Sequence, residues 1–155
     1  MIQYISKIYL KGVRAVLRVI TDSVTETEAF AEKIAQQITG GTVIAYFGGL
    51  GMGKTAFTRG LARGMGIKED VSSPTFAIVN DYGGNPPLVH FDMYKVESWD
   101  DLYSSGFFDY LDMGAVLAVE WSENIENALP EGTVRVTIEQ GESPNQRIIT
   151  VEGMS

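Results

Sequence analysis

The chain contains no cysteine, which excludes disulfides, thiolate metal sites and a cysteine nucleophile. Its one histidine is His90, so a metal centre built from several imidazoles is excluded as well. A serine triad could draw on that histidine, but no Gly-x-Ser-x-Gly elbow accompanies it. No apolar run reaches the roughly 20 residues of a membrane span. Basic residues are scarce, 12 against 20 acidic ones, for a formal charge of −8. That balance lacks the electrostatic footprint of a protein that grips nucleic acid by itself. Lys54, Arg59 and Arg63 can be read either as a local basic patch or as a solvated helix face.

What remains is ordinary for a globular domain: 155 residues, 45% hydrophobic and 21% charged, enough chain to bury one core. The first 18 residues carry Lys7, Lys11, Arg14 and Arg18 with no acid before Asp22. Their charge is that of a targeting leader, but they have neither a continuous apolar stretch nor a small-residue cleavage site. Residues 1–18 therefore read as a non-essential basic extension, residues 19–155 as a single domain, and the expected location is cytoplasmic.

The most informative stretch is Gly48-Gly49-Leu50-Gly51-Met52-Gly53-Lys54-Thr55. The apolar run Val43 to Phe47 before it predicts a buried strand, and Ala56 to Arg63 after it predicts an amphipathic helix. Strand, glycine-rich turn and helix together make the context of a phosphate-binding loop. Glycines let successive backbone N–H groups turn toward one anion. The helix start adds unpaired donors and the positive end of its dipole. In this pattern Lys54 meets the β- and γ-phosphates and the Thr55 hydroxyl holds a magnesium ion. Residues 48–56, ending at Ala56, are the predicted binding loop for a nucleoside triphosphate.

Elsewhere, Leu17 to Ile20 predicts a short strand. Thr25 and Glu28 have capping-box spacing, with Thr25 at the N-cap, and the helix behind them places Ala31, Ile34, Ala35 and Ile38 on one face. Further strands are expected at Phe76 to Val79, Leu88 to Tyr94 and Val116 to Val119. Gly83 to Pro87 marks a turn, and Trp99 to Leu111 a helix interrupted at Gly106. The tail has β-rich runs at Thr133 to Glu139 and Arg147 to Val151. Strands alternating with helices around a phosphate loop imply a three-layer α/β sandwich with a mainly parallel sheet. The last two strands and the one at Phe76 are candidates for antiparallel pairing.

Hydrolysis needs more than a phosphate loop: a metal must be held and a water positioned. Val116 to Glu120, four apolar residues and an acid, have the form of a Walker B strand, whose acid emerges at the sheet edge where ligands of open α/β folds collect. Asp92 ends another strand in the same way. One of the two carboxylates would serve the metal and the other the water, in an order the sequence leaves open. Ser73 and Thr75 flank Pro74 where a γ-phosphate-sensing switch segment would lie. His90 reads as a hydrogen-bonded core histidine, and Trp121 as a core aromatic.

With these blocks in place, the chain resembles the TsaE family, also called YjeE, from about Thr25 to Pro130. The resemblance rests on the phosphate loop, Ser73-Pro74-Thr75-Phe76 with Val79 and Tyr82, and His90-Phe91-Asp92-Met93-Tyr94. It continues through Gly106 with Asp109-Tyr110 and Val119-Glu120-Trp121. It implies a magnesium-dependent ATPase that works with a TsaD–TsaB pair. Together they make the threonylcarbamoyl modification of the adenosine beside the anticodon in tRNAs reading codons that start with A. TsaD would carry the transfer chemistry, and tRNA would be met only through the partners. The resemblance also implies phosphate and magnesium roles for Lys54 and Thr55, metal or hydrolysis roles for Asp92 and Glu120, and a switch role for Thr75. The chain departs from the family at Gly49, where aspartate is usual, and at Lys95, where arginine is usual.

Two other function classes fit a phosphate loop. A small-molecule kinase would need lid arginines, and none lies between Arg63 and Arg135. A non-catalytic switch would use ATP binding alone to change a docking surface. No Asn-Lys-x-Asp block for guanine is present, which favours ATP over GTP.

Overall fold

The computed structural model describes residues 3–8, 15–49, 52–68, 70–71 and 78–154, with side chains from residue 16 onward. Its centre is an eight-stranded sheet in the order β1-β2-β8-β7-β3-β6-β5-β4. The strands are β1 (Gln3–Ile8), β2 (Ala15–Thr21), β3 (Val43–Phe47), β4 (Val79–Gly84), β5 (Pro87–Asp92), β6 (Val116–Glu120), β7 (Val134–Gln140) and β8 (Arg147–Met154). The four middle strands, β7, β3, β6 and β5, run parallel. Antiparallel strands flank them, with β4 on one side and β8, β2 and β1 on the other.

Strands β3 and β6 are nearly continuous apolar runs because both faces of the sheet are covered there, whereas β7 alternates buried Val134, Val136 and Ile138 with part-buried Arg135 and Thr137. On one face lie α1 (Val24–Ala35) and α2 (Lys54–Gly64), with Phe30, Ile34, Phe57 and Leu61 packed against Ile44, Tyr46, Val136 and Ile138. On the other lie α3 (Trp99–Ser104), α4 (Phe107–Asp112) and a 3-10 turn (Ser122–Ala128). There Leu102, Phe107 and Ile125 meet Val43, Val89, Phe91, Leu117 and Val119. The result is the expected three-layer α/β sandwich with a parallel core. No helix among the described residues is long and apolar enough to cross a membrane.

Several local expectations shift. The N-cap of α1 is Ser23, whose hydroxyl accepts from the Glu26 amide at 3.1 Å, while the Glu26 carboxylate accepts from the Asp22 amide at 2.6 Å. The capping box thus sits two residues before Thr25. Glu28 is drawn away from capping by Arg59 and Arg63 of α2, at 2.6 and 3.0 Å. The two arginines are therefore a clamp between helices rather than a basic patch. The helix expected from Trp99 to Leu111 is two short ones, since Gly106 adopts φ 87° and caps α4. The strand expected from Phe76 begins at Val79; Phe76 and Ala77 lie outside the described residues. The boundary drawn at residue 18 falls inside β2, and Gln3–Ile8 pair with β2 as an edge strand.

Helices α1 and α2 approach at glycines. A Cβ on Gly60 would collide with the Glu28 carbonyl oxygen and lie 2.7 Å from Ala31 Cβ, and one on Gly64 would lie 2.6 Å from Ala35 Cβ. Gly60→Ala should therefore destabilise the fold by about 2 kcal/mol, because overpacking outweighs the better helix propensity. An unchanged urea midpoint would contradict this close packing.

Burial pushes the Glu28 carboxyl up, but hydrogen bonds from Arg59 and Arg63 outweigh it and hold the group below its ordinary value. A depressed folded-state value means stabilisation that is present above the ordinary carboxylate range and is lost as pH falls through the lowered value. The arginines are 42% and 51% exposed, so solvent screens the pair. Glu28→Gln should cost roughly 0.5–1 kcal/mol at pH 7 and clearly less at pH 3. Equal losses in urea unfolding at the two pH values would contradict the clamp.

Candidate functional site

The phosphate-loop segment leaves β3 and enters α2 as the sequence requires, although Leu50 and Gly51 lie outside the described residues. Gly48 has φ 125°, and a Cβ there would strike the Ile138 carbonyl oxygen. Gly53 caps α2 at φ 108° and offers no side-chain hydrogen bond to it. These are dihedrals that L side chains resist.

The two long helices begin in opposite ways. Helix α1 has a serine cap and Glu26 in its first turn, as a helix dipole favours. Helix α2 has no side-chain cap, no acid in its first turn, and Lys54 as its first residue. Its free N–H groups and a lysine at the positive end of the dipole suit an anion from outside the chain. Lys54 is only 8% exposed, and its Nζ lies 6.0 Å from the centroid of the Trp121 ring. Thr55 and Ala56 follow in the same first turn.

Trp121 brings the second half of the site to the first. It follows Glu120 directly and, at φ 58°, is the one non-glycine residue with positive φ among those described. Such a dihedral is uncommon for a bulky side chain. Here it ends β6 abruptly and starts the 3-10 turn, where the Ser122 hydroxyl donates to the Val119 carbonyl at 2.9 Å. The indole packs on Tyr94, ring centroids 4.8 Å apart, and is part-buried rather than a core aromatic.

Asp92 and Glu120 are register partners on the parallel strands β5 and β6. They share a face of the sheet with Leu88, Val116 and Ala118, the residues packed toward α1 and α2, because side chains alternate along a strand. The Asp92 Oδ1 accepts from the Tyr94 amide at 2.9 Å, and the Met93 amide donates to the Glu120 carbonyl at 3.0 Å. Glu120 is 12% exposed, and its Oε2 lies 3.0 Å from His90 Nε2. Both predicted acids therefore stand at the sheet edge on the side from which α2 begins. Ser73 and Thr75 lie outside the described residues.

Among the described residues, no group of three or more His, Asp or Glu side chains gathers to hold a metal. The two carboxylates and the Thr55 hydroxyl suit magnesium nonetheless, since that ion keeps several waters and takes other ligands from phosphate oxygens. When bound it would neutralise charge on the phosphates. A helix start with a lysine can receive a phosphate, and two neighbouring acids can take a cation or orient a water.

Three contributors escaped the sequence reading. Arg147, at the start of β8, donates from Nε to the Met52 carbonyl of the loop at 3.1 Å and from Nη1 to the Pro144 and Gln146 carbonyls. A lone arginine in the tail carries no motif, so only the fold exposes this contact. Tyr46 and Thr58 form a buried pair at 2.8 Å, and the Thr58 hydroxyl donates to the Lys54 carbonyl at 2.9 Å. Burial pushes the Tyr46 phenol well above its ordinary value; Thr58 opposes that, and Glu120 and Tyr82 add to it. Finally, Asp22, Ser23, Thr27, Gly53, Ala56 and Arg147 line a cleft beside the start of α2.

Comparison with known proteins agrees with this frame. Residues 21–149 match the family model described as threonylcarbamoyl adenosine biosynthesis protein TsaE. The tRNA threonylcarbamoyladenosine biosynthesis protein TsaE of Treponema pallidum is 33% identical over 122 residues, 79% of this chain and 90% of that protein. Its namesake in Bacillus subtilis is 38% identical over 124 residues, 79% of this chain and 77% of that one. The crystal structure of Bacillus subtilis YdiB superposes with a TM-score of 0.74 at 33% identity, covering 90% of this chain and 86% of the other. The chain belongs to the TsaE family of tRNA threonylcarbamoyladenosine biosynthesis proteins.

Proposed function

We propose that this protein is a magnesium-dependent ATPase. In this proposal it supports the threonylcarbamoyl modification of tRNA in the cytoplasm as part of an assembly with TsaD and TsaB. The observation that carries the proposal is an α2 start without a side-chain cap, bearing Lys54 6.0 Å from the Trp121 ring, at the sheet edge where the strands of two register-matched carboxylates end. Lys54 and the free N–H groups of α2 bind the β- and γ-phosphates. Thr55, Asp92 and Glu120 are the groups for magnesium and for the attacking water, and Thr75 is assigned to the γ-phosphate switch. The cleft between the start of α1 and Arg147 is where the nucleoside would extend from the loop.

Hydrolysis should be slow without partners. Arg59 and Arg63 hold Glu28, Arg135 meets Glu126, and Arg147 holds three carbonyl oxygens. These four guanidinium groups are engaged within the fold, which supports a partner-supplied charge over an arginine finger or a kinase lid built from any of them.

Purified chain should hydrolyse ATP faster when TsaD, TsaB and tRNA are added. Repeated turnovers of modified tRNA should depend on Lys54 and fail with Lys54→Ala. Hydrolysis indifferent to those partners would contradict the assignment. Asp92→Asn and Glu120→Gln should each keep ATP binding while lowering turnover by about 10²-fold or more; turnover within twofold of the parent would remove them from the site.

The net charge of −8 predicts negligible tRNA binding by the isolated chain at about 0.15 M salt. Submicromolar binding in a filter assay would show that this chain holds RNA without partners.

A further inference from the structure

His90 is fully buried and belongs neither to the phosphate loop nor to the pair of acids. It stands on β5 two residues before Asp92, and therefore on the same face of the strand. Its Nδ1 lies 3.2 Å from the Tyr82 hydroxyl on β4. Its Nε2 lies 3.0 Å from Glu120 Oε2 on β6, yet no well-aligned hydrogen-bond partner for Nε2 exists among the described residues. The ring thus bridges two strands, with a tyrosine on one side and a part-exposed carboxylate on the other.

The chemistry of the three groups sets their order. A carboxylate can only accept, so the nitrogen facing Glu120 must carry the hydrogen. In a neutral ring the other nitrogen is then an acceptor, and it takes the hydrogen of the Tyr82 hydroxyl. Buried polar atoms seldom go without a partner, and among the described residues Oε2 of Glu120 stands 3.0 Å from Nε2.

We propose that His90 is a positioning residue, which with Tyr82 behind it holds the Glu120 carboxylate in one orientation beside Asp92. It touches neither nucleotide nor metal and acts through Glu120. The consequence for hydrolysis rests on the role proposed above for Glu120; the contact itself does not.

Because the chain has one histidine, its ring nitrogens can be observed by 15N NMR without assignment ambiguity. The ring should show a protonated Nε2 and an unprotonated Nδ1. Glu120→Gln should move the Nε2 signal far more than Nδ1, and Tyr82→Phe should do the reverse. A protonated Nδ1 with bare Nε2, or an Nε2 signal indifferent to Glu120→Gln, would overturn the proposal. In turnover, His90→Phe should lower kcat by about 10-fold or more with KM for ATP within twofold, and His90→Gln, which restores a donor, should recover part of the loss. A His90→Phe protein that melts like the parent and keeps its kcat would also overturn it. Absence of hydrolysis by the parent would count against the ATPase proposal alone, leaving the ring spectrum to decide the role of His90. The same spectrum decides if His90→Phe fails to fold.

Discussion

Helix α2 begins with no side-chain cap, a glycine in the left-handed region and a lysine where a helix start disfavours positive charge. Helix dipoles favour acids and hydroxyl caps at that end, and α1 in the same molecule has both. The departure makes physical sense when the missing negative charge comes from a ligand, as it does for phosphates at helix starts. Much of the surrounding structure holds this helix start in place.

Three supports converge on it. From behind, α1 packs onto α2 at Gly60 and Gly64, while Glu28 ties down both arginines of α2. From below, Tyr46 and Thr58 join β3 to the Lys54 carbonyl. From the side, Arg147 grips the Met52 carbonyl and so fastens the loop to the last strand. The β7–β8 hairpin, which carries no motif of its own, thereby becomes part of the scaffold around the start of α2. Local strain, as at Trp121, is tolerated where surrounding packing over-determines the backbone, and Trp121 is held between Tyr94 and the 3-10 turn.

The parts legible in the sequence were those with local signatures. Val43 to Phe47 and Val116 to Val119 are unbroken apolar runs and became the buried parallel strands. The glycines marked the turn from β3 to α2, and strand-end position, with the Walker B form of Val116 to Glu120, singled out Asp92 and Glu120, which the fold pairs in register. The parts that were missed depend on residues distant in sequence. Ser23 with Glu26 and Thr25 with Glu28 show the same capping spacing, and only the arginines 31 and 35 residues beyond Glu28 decide between them. Arg147 reaches a loop 95 residues away, and Gln3–Ile8, set aside as an extension, gain their place only by pairing with β2. The burial of His90 follows from its place in an apolar strand, but its contact with Glu120 arises from strand pairing that no motif encodes.

The central claim is that the start of α2 is built for the phosphates of a nucleotide. Isothermal titration of the purified chain with ATP and magnesium, beside Lys54→Ala, tests it most directly. The account predicts saturable one-to-one binding that Lys54→Ala weakens by at least about 10-fold, the loss expected for a charge-assisted phosphate contact. Equal binding by both proteins, or none by the parent, would contradict it.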